Sequence, residues 1–311
     1  MGLREGIRRA LTDRRYCRGA ILRILNNINS KYHNNFTDHT GTDVMNEEWD
    51  NLIILDGCRA DIFENMCWFD GNYNERVSRA TESQKFLARN FEGKELHDTV
   101  YVSANPYAAD LSNDTFHAFY DLYRTAWNEE LQTIAPDSVV DTTKEIHTDF
   151  PNKKIIAHFM QPHYPFIGEL GKQIDNSSIG RQQGDGTARM TIWSKLMYGE
   201  DCMSPVEVIR AYAENLEIVL TSIESLLEEL NGRTVITADH GNLIGDIGDP
   251  IPVPAYGHPP EYFVEPLVDV PWFVIEGERR AITSEDPINQ TGSEISDHVR
   301  EERLSSLGYL E

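Results

Sequence analysis

Five short stretches of consecutive apolar residues constrain the fold most. "NLIILDG" (51–57), "TVYVSAN" (99–105), "KKIIAHFM" (153–160), "RTVITAD" (233–239) and "PWFVIEG" (271–277) are continuous runs rather than alternating ones. Such runs mark strands buried on both faces. Helical patterns lie between them, clearest over 206–230, where Ile209, Tyr212, Leu216, Val219, Ile223, Leu226 and Leu230 recur at spacings of three and four. Asn231-Gly232 then stops that helix. Alternating strands and helices predict an α/β fold with a mostly parallel central sheet and helices on both faces. Two stretches carry no such period. Residues 168–190 are Gly-rich and polar and read as a long surface loop or lid, and 245–260 read as a second loop, too Pro-rich for regular structure.

The chain has 311 residues, 40% of them hydrophobic, enough for one large α/β domain or two smaller ones. No window of ~18 apolar residues reads as a membrane span. Four cysteines without CxxC spacing (Cys17, Cys58, Cys67, Cys202) and no secretory signal favour reduced thiols in a cytoplasmic protein. The glycosylation sequons at Asn35, Asn113, Asn176 and Asn289 would then go unused. A net charge of −23 argues against nucleic-acid binding, because phosphate would be repelled. Arg (20) outnumbers Lys (8) beside 51 acidic side chains, a balance like that of proteins from salt-loving archaea, whose acidic surfaces stay solvated and screened.

Charge is divided unevenly. Residues 1–35 carry +6 and the remainder −29. Leu3, Ile7, Leu11, Cys17, Ile21, Leu25 and Ile28 fall roughly on one helical stripe, so residues 1–40 are expected to form a basic amphipathic helix ahead of a catalytic domain over 41–311. A helix of this kind lies on an anionic membrane surface at the inner face, docks on a partner, or packs on its own acidic domain. The packed helix is the reading taken here, with peripheral membrane contact through residues 1–30 as the alternative.

In an open parallel sheet chemistry gathers at the carboxyl ends of the strands. There the sequence supplies Asp56 after the first run, His158 and His163 in "HFMQPHYPF", Asp239 and His240 in "ITADHGNLIGD", and His258 in "YGHP". One such residue would cap a strand; carboxylates and imidazoles together suit a divalent cation, Zn or Mn first, with Ca or Mg also open. A nucleophile is also needed. In "SRATESQKFLARNF" (78–91), Thr81 and Gln84 match a capping box, so Thr81 is expected to be the N-cap of a helix whose free N–H groups attract an anionic ester. A hydroxyl held there beside a metal would also be acidified and aimed.

"LDGCRADIFE" (55–64), "ATESQKFL" (80–87), "FMQPHYPF" (159–166) and "ADHGNLIGD" (238–246) with "YGHP" (256–259) resemble, in order, the alkaline phosphatase/sulfatase superfamily. The resemblance implies an α/β sandwich in which Asp56, Thr81, Asp239 and His240 ligate one divalent cation. It also implies that His163 and His258 contact the substrate's anionic group or a second metal. No C-x-P-x-R block is present, Cys58 stands too near Asp56 to be its counterpart, and Gly57 follows Asp56 where sulfatases tend to pair acids. These departures point to the Ser/Thr-nucleophile branch, which includes phosphodiesterases, phosphoethanolamine transferases and lipoteichoic acid synthases. The function expected is a metal-dependent hydrolase or transferase of phosphoesters or related anionic esters, glycan- or lipid-linked ones among them, with Thr81 as nucleophile. His163 or His258 would position the ester or protonate its leaving group. A sulfate-ester hydrolase using Thr81, and a catalytically silent partner in surface-glycan synthesis, are the competing readings.

Overall fold

A computed structural model describes residues 13–37, 40–112, 114–179, 191–199, 204–288 and 295–309. In chain order the helices are α1 (Arg14–Phe36), α2 (Ala60–Met66), α3 (Ser83–Phe91), α4 (Leu122–Thr125), α5 (Pro136–Asp149), α6 (Glu169–Ile179), α7 (Ile192–Tyr198), α8 (Pro205–Leu227), α9 (Glu265–Val268) and α10 (Asp297–Ser306). The strands are β1 (Asn51–Asp56), β2 (Asn72–Val77), β3 (Leu96–Ser103), β4 (Phe116–Asp121), β5 (Trp127–Asn128), β6 (Thr133–Ile134), β7 (Lys154–Pro162), β8 (Thr234–Ala238), β9 (Leu243–Ile247), β10 (Pro254–Gly257) and β11 (Asp269–Ile275).

Seven strands form one sheet in the order β2-β11-β8-β1-β7-β3-β4. β8, β1, β7, β3 and β4 are parallel, whereas β11 runs antiparallel to both β8 and β2. All five apolar runs are strands of this sheet. β1 is buried at every position, as a strand covered on both faces must be. Alternate side chains feed two cores. Ile53, Leu55, Ile155, Ala157 and Ile236 pack under α5 and α8, through Val139, Ile146, Leu216, Val219 and Ile223. Leu52, Ile54, Tyr101, Ile156 and Val235 meet Phe86, Leu87 and Phe91 of α3 on the other face. α8 begins at a complete capping box, Ser204 with Glu207, which pairs two otherwise orphaned donors.

Both expected loops contain regular structure. Glu169–Ile179 is helical, anchored where Ile174 buries beside Phe166, Trp193 and Tyr212; residues 180–190 lie outside the described residues. In the Pro-rich stretch, β9 and β10 pair antiparallel, because its prolines fall between the strands, at the start of β10 or after it rather than inside the ladder. The helix after Thr81 is capped one residue later than expected. Glu82, extended at φ −154° and ψ 151°, is the N-cap, and the Thr81 hydroxyl donates to Pro259 O (3.1 Å) instead of capping.

Candidate active site

β1 and β8 are neighbours, so Asp56 at the end of β1 and Asp239 directly after β8 reach the same edge of the sheet. Gly57 makes this possible. It turns the chain at φ +62°, and its N–H donates to Asp239 Oδ1 (2.9 Å). A Cβ there would stand 3.4 Å from His163 Cδ2 and 3.6 Å from His240 Cε1, so the position where the resemblance suggests a second acid is a tight turn between two imidazoles. His240 N–H also donates to Asp239 Oδ1 (2.8 Å), which leaves Oδ2 facing inward.

Asp56 Oδ2 accepts from Asn105 Nδ2 (2.7 Å), the Tyr309 hydroxyl (2.9 Å) and the Ser83 hydroxyl (3.3 Å). The other oxygen, Oδ1, has no hydrogen-bond partner, and neither do Asp239 Oδ2 and His158 Nε2. The three residues are buried and each offers one ligand atom within 4.8 Å of those of the other two, with His158 Nε2 3.9 Å from Asp239 Oδ2. His240 Nε2 is 3.8 Å from Asp56 Oδ1 and 3.5 Å from Asp239 Oδ2. Buried acceptors converging without donors would be costly by themselves. A divalent cation accounts for all of them, and two carboxylates with two imidazoles form a donor set that suits zinc.

Hydrogen bonds to carbonyl oxygens orient His240 and His163 and, through His163, His258. His240 Nδ1 lies 2.7 Å from Gly241 O and must donate to it, so Nε2 presents a lone pair to the carboxylates. His163 Nδ1 likewise donates to Tyr164 O (2.6 Å), leaving Nε2 bare. His258 Nε2, 3.0 Å away, is therefore the donor in that pair. His158 Nδ1 pairs with the Tyr101 hydroxyl (2.7 Å). Burial, opposed by Asp239, pulls His158 down to about 4, and burial beside the His240 ring does the same to His163. Burial and the neighbouring imidazoles hold His258 well below its ordinary range. All three rings are neutral at neutral pH and available as ligands or hydrogen-bond partners. Burial, then the Asp239 charge, raises Asp56 well above the usual carboxylate range.

Of the residues singled out in the sequence, Asp56, His163, Asp239, His240 and His258 come together at this edge. Thr81 sits beside them, but its hydroxyl is turned to Pro259 O. The hydroxyl that faces the acidic cluster belongs to Ser83, the first residue of α3, 3.4 Å from His240 Nε2 and fully buried. In the sequence Ser83 is the rival hydroxyl two residues beyond Thr81 and is expected to point away from the cap; Asn105 and Tyr309 carry no signal there, while His158, noted as a strand-end imidazole, stands with the metal-ligand candidates. Tyr309 comes from the far end of the chain, its ring stacked on His163 (centroids 5.1 Å apart, 12° between planes). Cys58 is fully buried, in keeping with a structural thiol.

No family model matches the chain, and no curated protein is significantly similar to it. Among solved structures the chain is similar to the C-terminal periplasmic domain of EptC from Escherichia coli in complex with Zn, with 13% identity, 77% of this chain and 76% of that one covered, and a TM-score of 0.48. It is also similar to the soluble domain of lipooligosaccharide phosphoethanolamine transferase A from Neisseria meningitidis (12%, 72% and 75%, TM-score 0.45). A third is the lipoteichoic acid synthase LtaP from Listeria monocytogenes (10%, 80% and 71%, TM-score 0.42). These solved structures fall in the alkaline phosphatase/sulfatase superfamily, the one the sequence blocks resemble.

Proposed function

We propose that the chain is a metal-dependent transferase or hydrolase of phosphoesters in which Ser83, in place of Thr81, is the nucleophile. One observation carries this reading: the Ser83 hydroxyl lies between Asp56 Oδ2 (3.3 Å) and His240 Nε2 (3.4 Å), at the edge of the unpartnered acceptors. Asp56, Asp239, His240 and His158 would hold the cation, and when bound it would supply positive charge against the Ser83 hydroxyl and the ester oxygens. Ser83 also opens α3, whose first-turn N–H groups have no partner within the helix and favour an anion.

In the proposed step the Ser83 oxygen bonds to phosphorus as the ester's P–O bond breaks on the opposite side. The serine proton has Asp56 Oδ2 as its acceptor. His258 Nε2–H, now donated to His163, is the donor for the departing alcohol, and His163 holds that ring in orientation. Water or an acceptor alcohol then takes the phosphoryl group from serine. Phosphorus rather than sulfur is favoured by the serine itself, a direct oxygen nucleophile, and by the absence of a C-x-P-x-R block.

Turnover of chromogenic phosphomonoesters, phosphodiesters and sulfate esters tests this. Ser83→Ala is expected to lose on the order of a thousandfold or more in kcat. Thr81→Ala, which forfeits one hydrogen bond worth about 1 kcal/mol, is expected to stay within about tenfold. Activity that survives Ser83→Ala and vanishes in Thr81→Ala would overturn the assignment.

A further inference from the structure

α1 is amphipathic, yet it packs on the body through its polar side. Asn26 Nδ2 donates to Pro254 O (3.0 Å), Asn29 Nδ2 donates to Ile251 O (2.9 Å), and Asn29 Oδ1 accepts from Ile251 N (2.9 Å). His33 Nε2 donates to Asp249 O (3.0 Å). The surface it grips explains the choice. "DPIPVP" (249–254) has proline at every second position, so half of its residues carry no N–H and its carbonyls need donors from elsewhere. Asparagine and histidine side chains supply them. Leu22 is the one large aliphatic side chain of α1 that is buried.

The apolar stripe therefore faces outward. Ile21 (50% exposed), Ile24 (59%), Ile28 (47%), Tyr32 (45%) and Phe36 (76%) follow one another at three and four residues and share one face over four turns. Among the described residues no other element exposes a comparable row. α1 also contains five basic residues (Arg14, Arg15, Arg18, Arg23 and Lys31) and no acidic one, while residues beyond 35 carry −29. Of these, Arg14 and Arg18 lie on the stripe's side of the helix and Lys31 beside it.

We infer that the outer face of α1 is a docking surface for an anionic lipid bilayer, on which the helix lies in the plane of the interface. Ile, Tyr and Phe on one face flanked by Arg and Lys, with no acid between them, is the composition such a surface takes up. Charge selects this occupant. An acidic body repels anionic headgroups and turns α1, with five basic residues and no acidic one, toward them, and the basic residues add attraction that falls off within a Debye length. No helix among the described residues is long and apolar enough to cross a membrane, so contact through α1 is made in the plane. Because α1 grips the segment leading into β10 and His258, the lipid surface would bear on the same hairpin that carries a substrate-contacting residue.

The full-length protein is tested by co-sedimentation with phosphatidylglycerol and with phosphatidylcholine vesicles in low and in molar KCl. Binding is expected on the anionic vesicles, at least about tenfold weaker on the neutral ones, and reduced by salt. Ile24→Glu with Ile28→Glu is expected to reduce binding to anionic vesicles at least about tenfold, with metal content and melting temperature unchanged to report that the fold is intact. Arg14→Ser with Arg18→Ser and Lys31→Ser is expected to remove the preference for anionic vesicles. Equal binding to both lipids, or binding that survives the double Glu substitution, would overturn the inference. So would a concentration-dependent dimer abolished by Ile24→Glu in a protein that ignores vesicles, since the stripe would then belong to a second copy.

Discussion

Asp56 Oδ1, Asp239 Oδ2 and His158 Nε2 converge without a hydrogen bond to any of them, and the proposed cation at the end of β1 and β8 rests on this. The raised pKa of Asp56 gives the site a pH dependence whose sign can be worked out. A carboxyl raised by burial and by a second carboxylate keeps its proton to a higher pH than an ordinary aspartate, and a cation must displace that proton to bind. His158, pulled to about 4, does not compete for protons above that range. Apparent metal affinity is therefore expected to rise with pH through the acidic and mildly acidic range, levelling off once Asp56 is ionised. Competition against a chelator of known pH dependence measures it, and an affinity that falls as pH rises would contradict it. The aspartates and histidines of this site were legible because each stands in a run just before or just after an apolar strand. Ser83 was not, because choosing between two hydroxyls two residues apart needs a helix start located to the residue, finer than sequence patterns resolve. Tyr309 left no local signal at all, since it meets Asp56 across 253 residues of sequence.

Among the elements, α10 has the most direct effect on the site. Its C-terminus closes with Gly308 at φ +80°, Gly308 N–H donating to Ser305 O and Tyr309 N–H to Leu304 O, the pattern of a Schellman cap. Leu307 is fully buried in the main core, and Arg303 stacks over Trp127 and Tyr123, so the cap is held in place. It aims Tyr309 back over His163 and onto Asp56, while Ser83, Asp239 and His240 beneath are 0% exposed. Tyr309→Ala is expected to open the site and raise kcat/KM for a small chromogenic phosphoester several-fold. A fall of similar size would show instead that the phenol assists turnover. The central strands were readable because a short, continuous apolar run bounded by turn residues suits a strand covered on both faces and little else. β2, "NYNERV", was not, since an edge strand paired on one side can remain polar and half exposed. The hairpin of β9 and β10 was hidden by its prolines, which by composition read as loop.

At the scale of the whole molecule, one acidic α/β domain carries a buried polar site at the carboxyl edge of its sheet and a basic helix clamped to the hairpin beside it. A cation at the polar site would take the place of the proton that Asp56 otherwise keeps and neutralise two buried carboxylates that repel each other. The most direct test is elemental analysis of the full-length protein purified without chelator, alongside Asp239→Ala protein whose melting curve confirms that it is folded. Near one divalent ion per chain in the native protein, with loss of nearly all of it in Asp239→Ala, is the expected result. A folded Asp239→Ala protein with undiminished metal, or a native protein that neither contains nor takes up a divalent ion, would contradict the account.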